Sequence, residues 1–198
     1  METRTVIEAD GTVWQRPLQW EEMGDGLLVF KPIPDNQHQA VVTDLCCILH
    51  EVIAYSGRGE VFPGVNVSNL AEAWLDNYRI PDVAVYLSGN SAVDRETHFQ
   101  GGPDFAVEVI SPGEDPHAKL GFYAKANTRE LLVIHRKPWA LELFVLADGV
   151  LRLAGRCDMA GGGPLASAVL PFTFRVVPGE ARPEVEVSHG PTRRTWRV

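Results

Sequence analysis

Residues Phe105–Ile110 read Phe-Ala-Val-Glu-Val-Ile. A short run this nearly apolar is the pattern of a strand in the middle of a sheet, covered on both faces. Such a strand requires packed layers on both sides of the sheet. Its fourth residue, Glu108, breaks the pattern, and an unpaired carboxylate in apolar surroundings costs several kcal/mol or more, on the order of the transfer penalty for a charge. Glu108 must therefore be paired, protonated or bound to a metal. Period-two alternation sets Asp104, Ala106, Glu108 and Ile110 on one face and Phe105, Val107 and Val109 on the other.

The flanking segments supply the layers. Val41, Val42, Leu45, Leu49, Val52 and Ile53 recur at three- and four-residue spacing, which predicts an amphipathic helix from an N-cap at Asp35 to about Tyr55. Asp115 followed by Pro116 predicts a second helix over Pro116–Asn127. Strands are expected at Leu27–Lys31, at Val61–Ser68 with an interruption at Pro63 and Gly64, and at Ile80–Leu87, followed by a loop over Ser88–Pro103. Leu131–Ile134 and Trp139–Val145 form a hairpin around Lys137 and Pro138, and Val150–Leu153 and Val169–Phe174 continue a β-rich second half. With 45% hydrophobic and 22% charged residues, the 198-residue chain has the composition of one globular domain spanning residues 1–198.

The opening decapeptide carries Glu2, Arg4, Glu8 and Asp10 and is not a secretory signal. No run approaches the roughly 20 apolar residues that span a bilayer. Cys46, Cys47 and Cys157 form no Cys-x-x-Cys or Cys-to-His spacing. A cytoplasmic protein with no membrane partner is expected. The net charge of −8 disfavours polyanions as partners, so nucleic acid would have to meet a local basic patch. His117–Lys137 offers one: Lys119, Lys125, Arg129, Arg136 and Lys137 stand against the single acid Glu130.

Asp82 follows Pro81 at the start of the strand preceding Glu108, and neighbouring strands would bring the two acids close. Two carboxylates converging in an apolar sheet make a hard-oxygen site suited to Mg²⁺ or Mn²⁺. Lys119, in the first turn of the second helix, is placed to reach the same pocket. Tyr123 lies four residues on along that helix face. Each residue has a blander role when taken singly: a turn aspartate, a structural ion pair, a solvated lysine. The histidines are scattered, with no zinc spacing, and His117 reads as an exposed helix-start residue. No nucleophile elbow, P-loop or dinucleotide fingerprint occurs.

Three segments together carry a resemblance: Ile80-Pro81-Asp82-Val83-Ala84-Val85, Gly102-Pro103-Asp104-Phe105-Ala106-Val107-Glu108-Val109-Ile110-Ser111-Pro112, and Lys119-Leu120-Gly121-Phe122-Tyr123-Ala124. From about Trp20 to Arg175 the chain resembles the PD-(D/E)XK nuclease superfamily, and more closely its Uma-two branch of restriction-endonuclease-like proteins. The resemblance implies an α/β (α+β) fold with a restriction-endonuclease-like core: a mixed central sheet flanked by helices, with a β-rich C-terminal extension. It implies that Asp82 and Glu108 ligate Mg²⁺ or Mn²⁺, with the Val109 carbonyl as a further ligand. Ile110 stands where the superfamily's usual lysine would be, and Lys119 would replace that lysine from the helix.

Two more positions transfer. They are Glu22, within Glu21-Glu22-Met23-Gly24-Asp25-Gly26, and His38, for which a structural histidine bonded to backbone is an equal alternative. The implied activity is metal-dependent endonucleolytic hydrolysis of DNA, with a homodimer as the expected assembly. Two rival readings remain: an inactive nuclease-fold module that binds nucleic acid or protein, and a structural assembly module.

Overall fold

The computed structural model describes residues 3–7, 9–17, 19–24, 26–111 and 113–198. Its centre is a six-stranded sheet of β1 (Gly59–Pro63), β2 (Val83–Leu87), β3 (Phe105–Val109), β4 (Glu130–Arg136), β5 (Trp139–Ala147) and β6 (Val150–Asp158). The spatial order is β6-β5-β4-β3-β2-β1. β3 and β4 are parallel, from Phe105 opposite Glu130 to Val109 opposite Ile134, and every other pairing is antiparallel. β3 is thus interior and buried along its whole length, as its apolar run predicts.

The alternation along β3 separates two cores. Phe105, Val107 and Val109 face α1 (Asn36–Leu49) and pack with Val41, Leu45 and Leu49. Ala106 and Ile110 face α2 (Leu120–Lys125) and pack with Phe122, Tyr123 and Ala126. Asp35 caps α1 as expected, its Oδ1 accepting the His38 N–H at 2.8 Å. The helix does not stay α-helical to Tyr55. Its final turn, His50–Ala54, is a π turn in which the Tyr55 N–H donates to the His50 carbonyl. Ser56 Oγ and Arg58 Nη2 both donate to the freed Val52 carbonyl, while Val52 and Ile53 remain on the buried stripe.

The helix predicted over Pro116–Asn127 is in two pieces, a 3₁₀ turn at Pro116–Lys119 followed by α2. Asn127, in the left-handed region at φ 67°, ends it. This short crossover returns the chain to a parallel neighbour of β3, which a hairpin cannot do.

Val61–Ser68 is two strands, because at Pro63 and Gly64 the chain leaves the central sheet. Val67–Ser68 joins a second six-stranded sheet with Leu27–Pro32, Gln19–Gly24, Tyr78–Arg79, Phe99–Gln100 and Val93–Asp94. The last two fall within the expected Ser88–Pro103 loop, and Gln19–Gly24 falls where no strand was expected. A hairpin of Thr3–Ile7 with Val13–Pro17 precedes them.

The β-rich end is a four-stranded sheet, Leu165–Ala166, Phe172–Val177, Glu184–His189 and Arg194–Arg197. It is no mere appendage: Phe172, Phe174, Val185 and Val187 complete the α1-side core, and Phe174 stacks on Phe105 with centroids 5.7 Å apart. Among the described residues no helix is long and apolar enough to cross a membrane.

Candidate active site

The register between β2 and β3 puts Val83 opposite Val107, so Asp82, one step further, lies beside Glu108 at the carboxyl end of β3. The Asp82 N–H donates to the Val107 carbonyl at 3.0 Å. Its side chain then turns toward α1. Oδ2 accepts the Val109 N–H at 2.6 Å and Oδ1 lies 3.0 Å from His38 Nε2. Since a carboxylate only accepts, His38 is the donor in that bond. His38 therefore bonds the Asp82 carboxylate and not the backbone, and its Nδ1 is buried without a hydrogen-bond partner among the described residues.

Glu108 turns the other way, toward α2. Lys119 Nζ donates to Oε2 at 2.7 Å and the Tyr123 hydroxyl donates to Oε1 at 2.5 Å. This is the compensation that a glutamate only 2% exposed requires. The ammonium of Lys119 is shared: Glu114 Oε1 is at 3.1 Å and Glu22 Oε2 at 3.7 Å. Lys119 is itself buried, at 5% exposure, and is no solvated helix lysine. The 3₁₀ turn places it at the junction with α2, directed at the sheet.

Glu22, fully buried, accepts the Ile80 N–H at 2.9 Å through Oε1, and Arg79 Nε lies 3.9 Å from its other oxygen. Arg79 in turn donates to the Met23 and Tyr78 carbonyls and stands 5.0 Å above the Phe122 ring. Glu22, Glu108, Lys119 and Tyr123 thus form one cluster, with Asp82, His38 and the Val109 backbone at its border.

Burial pushes the Tyr123 hydroxyl well above its ordinary pKa, and the negative charges of Glu108, Glu22 and Asp82 add to the effect. A tyrosine whose folded pKa is raised holds its proton longer folded than unfolded, so its stabilisation is complete below about pH 10 and is lost as pH climbs further. Urea midpoints should fall above that pH in the wild type, and more gently in Tyr123→Phe. Parallel profiles for the two proteins would contradict this assignment.

Sequence reading missed Arg79, Glu114 and Arg136 as parts of this region. Glu114 lies just before the Asp115 cap, where no periodicity in the sequence points to a partner. The basic segment is also not the free cationic face it resembled. Lys119 is consumed by acids, Arg129 pairs with Asp104 at 2.9 Å and Arg136 pairs with Asp35 at 2.6 Å. His117 is exposed as expected and lies 3.3 Å from Glu142.

Among the described residues no three His, Cys, Asp or Glu side chains form a ready-made metal-binding group. Each oxygen of Asp82 and Glu108 already accepts one hydrogen bond. A carboxylate oxygen has two lone-pair sites, so accepting one hydrogen bond does not bar it from a cation. Three carboxylates around one ammonium also favour added positive charge. The donor set is all oxygen, which suits a hard divalent ion such as Mg²⁺ or Mn²⁺.

Comparison with curated proteins gives no match. Among solved structures the chain is similar to one described as "a putative nuclease belonging to DUF820 from Anabaena variabilis ATCC 29413", with a TM-score of 0.57 and 15% identity over 81% of this chain and 82% of that one. At that identity the likeness speaks for the fold, a mixed α+β arrangement made mostly of strands. A family model described as "Uma2: Putative restriction endonuclease" matches residues 14–175. That match spans most of the 198 residues and all three segments around Asp82, Glu108 and Lys119, and the chain belongs to the Uma2 family.

Proposed function

We propose that this protein is an endonuclease that hydrolyses phosphodiester bonds in DNA with the help of Mg²⁺ or Mn²⁺ held by Asp82, Glu108 and the Val109 carbonyl. The observation that carries the reading is the buried Lys119–Glu108 pair, 2.7 Å, standing beside Asp82 at the end of β3. A bound divalent ion would supply Lewis acidity toward a phosphoryl oxygen and lower the pKa of a water.

The protein's own groups set the stage for that chemistry. The Val109 N–H and His38 hold both Asp82 oxygens in place, and Tyr123 orients Glu108. Lys119 brings a positive charge to the point where negative charge grows on the phosphoryl group in the transition state. Glu22 and Glu114 steady that ammonium from behind. Pairing of two chains would present two such sites to the two strands of a duplex, and sedimentation measurements test that assembly.

Calorimetric titration with Mn²⁺, wild type beside Glu108→Gln, tests the site without needing the right DNA sequence. Saturable binding is expected in the wild type and should disappear in the variant. Identical titrations would remove Glu108 as a ligand.

The alternative is a nuclease-fold module that binds nucleic acid or protein without cutting. It draws on the net charge of −8 and on the way Lys119 and Tyr123 already satisfy Glu108. It predicts no Mn²⁺ binding at Glu108 and no DNA cleavage.

A further inference from the structure

A cleft of about 320 Å³ opens where the parallel strands β3 and β4 end, lined among others by Ile110, Ser111, Glu114, His135, Arg136 and Lys137. In sheets with parallel strands the loops beyond the carboxyl ends diverge, and ligands settle in the space between them. This cleft adjoins the Glu108 cluster: Ile110 is two residues beyond Glu108, and Glu114 touches both the cleft and Lys119.

Arg136 is the unexplained member of its wall. It is only 4% exposed. Its Nη1 donates to Asp35 Oδ1 at 2.6 Å and Gln37 Oε1 at 3.3 Å. The opposite edge, Nε and Nη2, has no hydrogen-bond partner among the described residues, and Nε is fully buried. A guanidinium carries five donors, and burying donors without a partner is costly. Native proteins keep such a group where something else completes it.

The Nε and Nη2 edge is a planar fork of parallel N–H groups, the geometry that grips two oxygens of one phosphate. The exposed Lys137 adds a second cation to the same wall. The one acid of the lining, Glu114, is engaged by Lys119 at 3.1 Å and by the Ser111 N–H at 3.2 Å.

We infer that this cleft is a phosphate subsite, in which the free edge of Arg136, with Lys137, holds a backbone phosphodiester of DNA next to the one presented to Glu108. The inference rests on the hydrolytic reading for its ligand but is tested apart from it. A fluorescently labelled blunt-ended DNA duplex is titrated in EDTA with the wild type, Arg136→Lys, Lys137→Ala and Lys125→Ala over a range of salt, read by anisotropy. Arg136→Lys retains a cation beside Asp35 and Lys137 is exposed, so both variants should fold, which urea midpoints check.

Arg136→Lys and Lys137→Ala should each weaken binding by about tenfold. Lys137→Ala, which removes a charge, should also lower the salt slope by about one, while Arg136→Lys, which keeps the charge but loses the fork, should leave the slope unchanged. Lys125→Ala, outside the cleft, should match the wild type. Equal affinity in all four proteins, no duplex binding by the wild type, or competition by inorganic phosphate at duplex-like strength would each overturn the inference. The Mn²⁺ titration at Glu108 is independent of all these. Its failure, with the Arg136 effect intact, would remove the hydrolysis and leave the subsite.

Discussion

Glu108→Gln is expected to lower DNA cleavage by about a thousandfold or more, the scale set when an ion worth several kcal/mol of transition-state stabilisation loses a ligand. Stability should change far less. Glutamine is the same size, its carbonyl oxygen still accepts from Tyr123, and Lys119 keeps Glu114 at 3.1 Å and Glu22 at 3.7 Å. The amide NH2, a donor, then faces the Lys119 ammonium, so one charged hydrogen bond is lost and the cost should be about 1.5–3 kcal/mol. Initial rates on supercoiled DNA with Mn²⁺, beside urea unfolding of both proteins, separate the two effects. Unchanged cleavage would falsify the placement of Glu108 in the active site.

Lys119→Met should do the reverse to stability. It removes the ammonium that Glu108, Glu114 and Glu22 share, and leaves like charges crowded in a buried cluster. Breaking a buried pair on one side costs about 3–5 kcal/mol because the remaining charge keeps its desolvation penalty. The double variant Glu108→Gln, Lys119→Met should be more stable than Lys119→Met alone, since the most tightly paired orphan charge is then gone. Equilibrium unfolding in urea gives the comparison directly. A loss under about 1 kcal/mol for Lys119→Met would place the lysine in solvent and undo the cluster described here.

These two variants also mark where sequence reading worked. Glu108 was legible because one charge in six residues of apolar strand has few physical solutions. The α1 stripe, from Val41 to Ile53, was legible because helical periodicity is a local property, written in residues that touch the same core. Lys119 and Tyr123 were placed by their distance from the predicted helix start, and both land on Glu108 although the helix begins as a 3₁₀ turn.

The departures share a cause as well. Gln19–Gly24, Glu184–His189 and Arg194–Arg197 are strands rich in charged or polar residues, paired antiparallel with the strands next to them in the chain, and a polar composition carries little strand signal of its own. The basic segment misled because a count of charges does not record which are already spent on Asp35, Asp104 and Glu108.

By itself, then, the sequence determined the buried central strand, the two helices that cover it and the residue types available for chemistry. All of these depend on periodicity and on the cost of burying charge over short spans. Only the tertiary structure decided that Asp82 turns to His38 and Val109 while Glu108 turns to Lys119 and Tyr123. It alone brought Glu22 and Glu114 to the same ammonium and left one edge of Arg136 without a hydrogen-bond partner among the described residues. Those choices belong to side chains on different elements of the chain, and the energies that select among them exist only once the sheet has brought the charges within a few ångströms in a medium that screens them poorly.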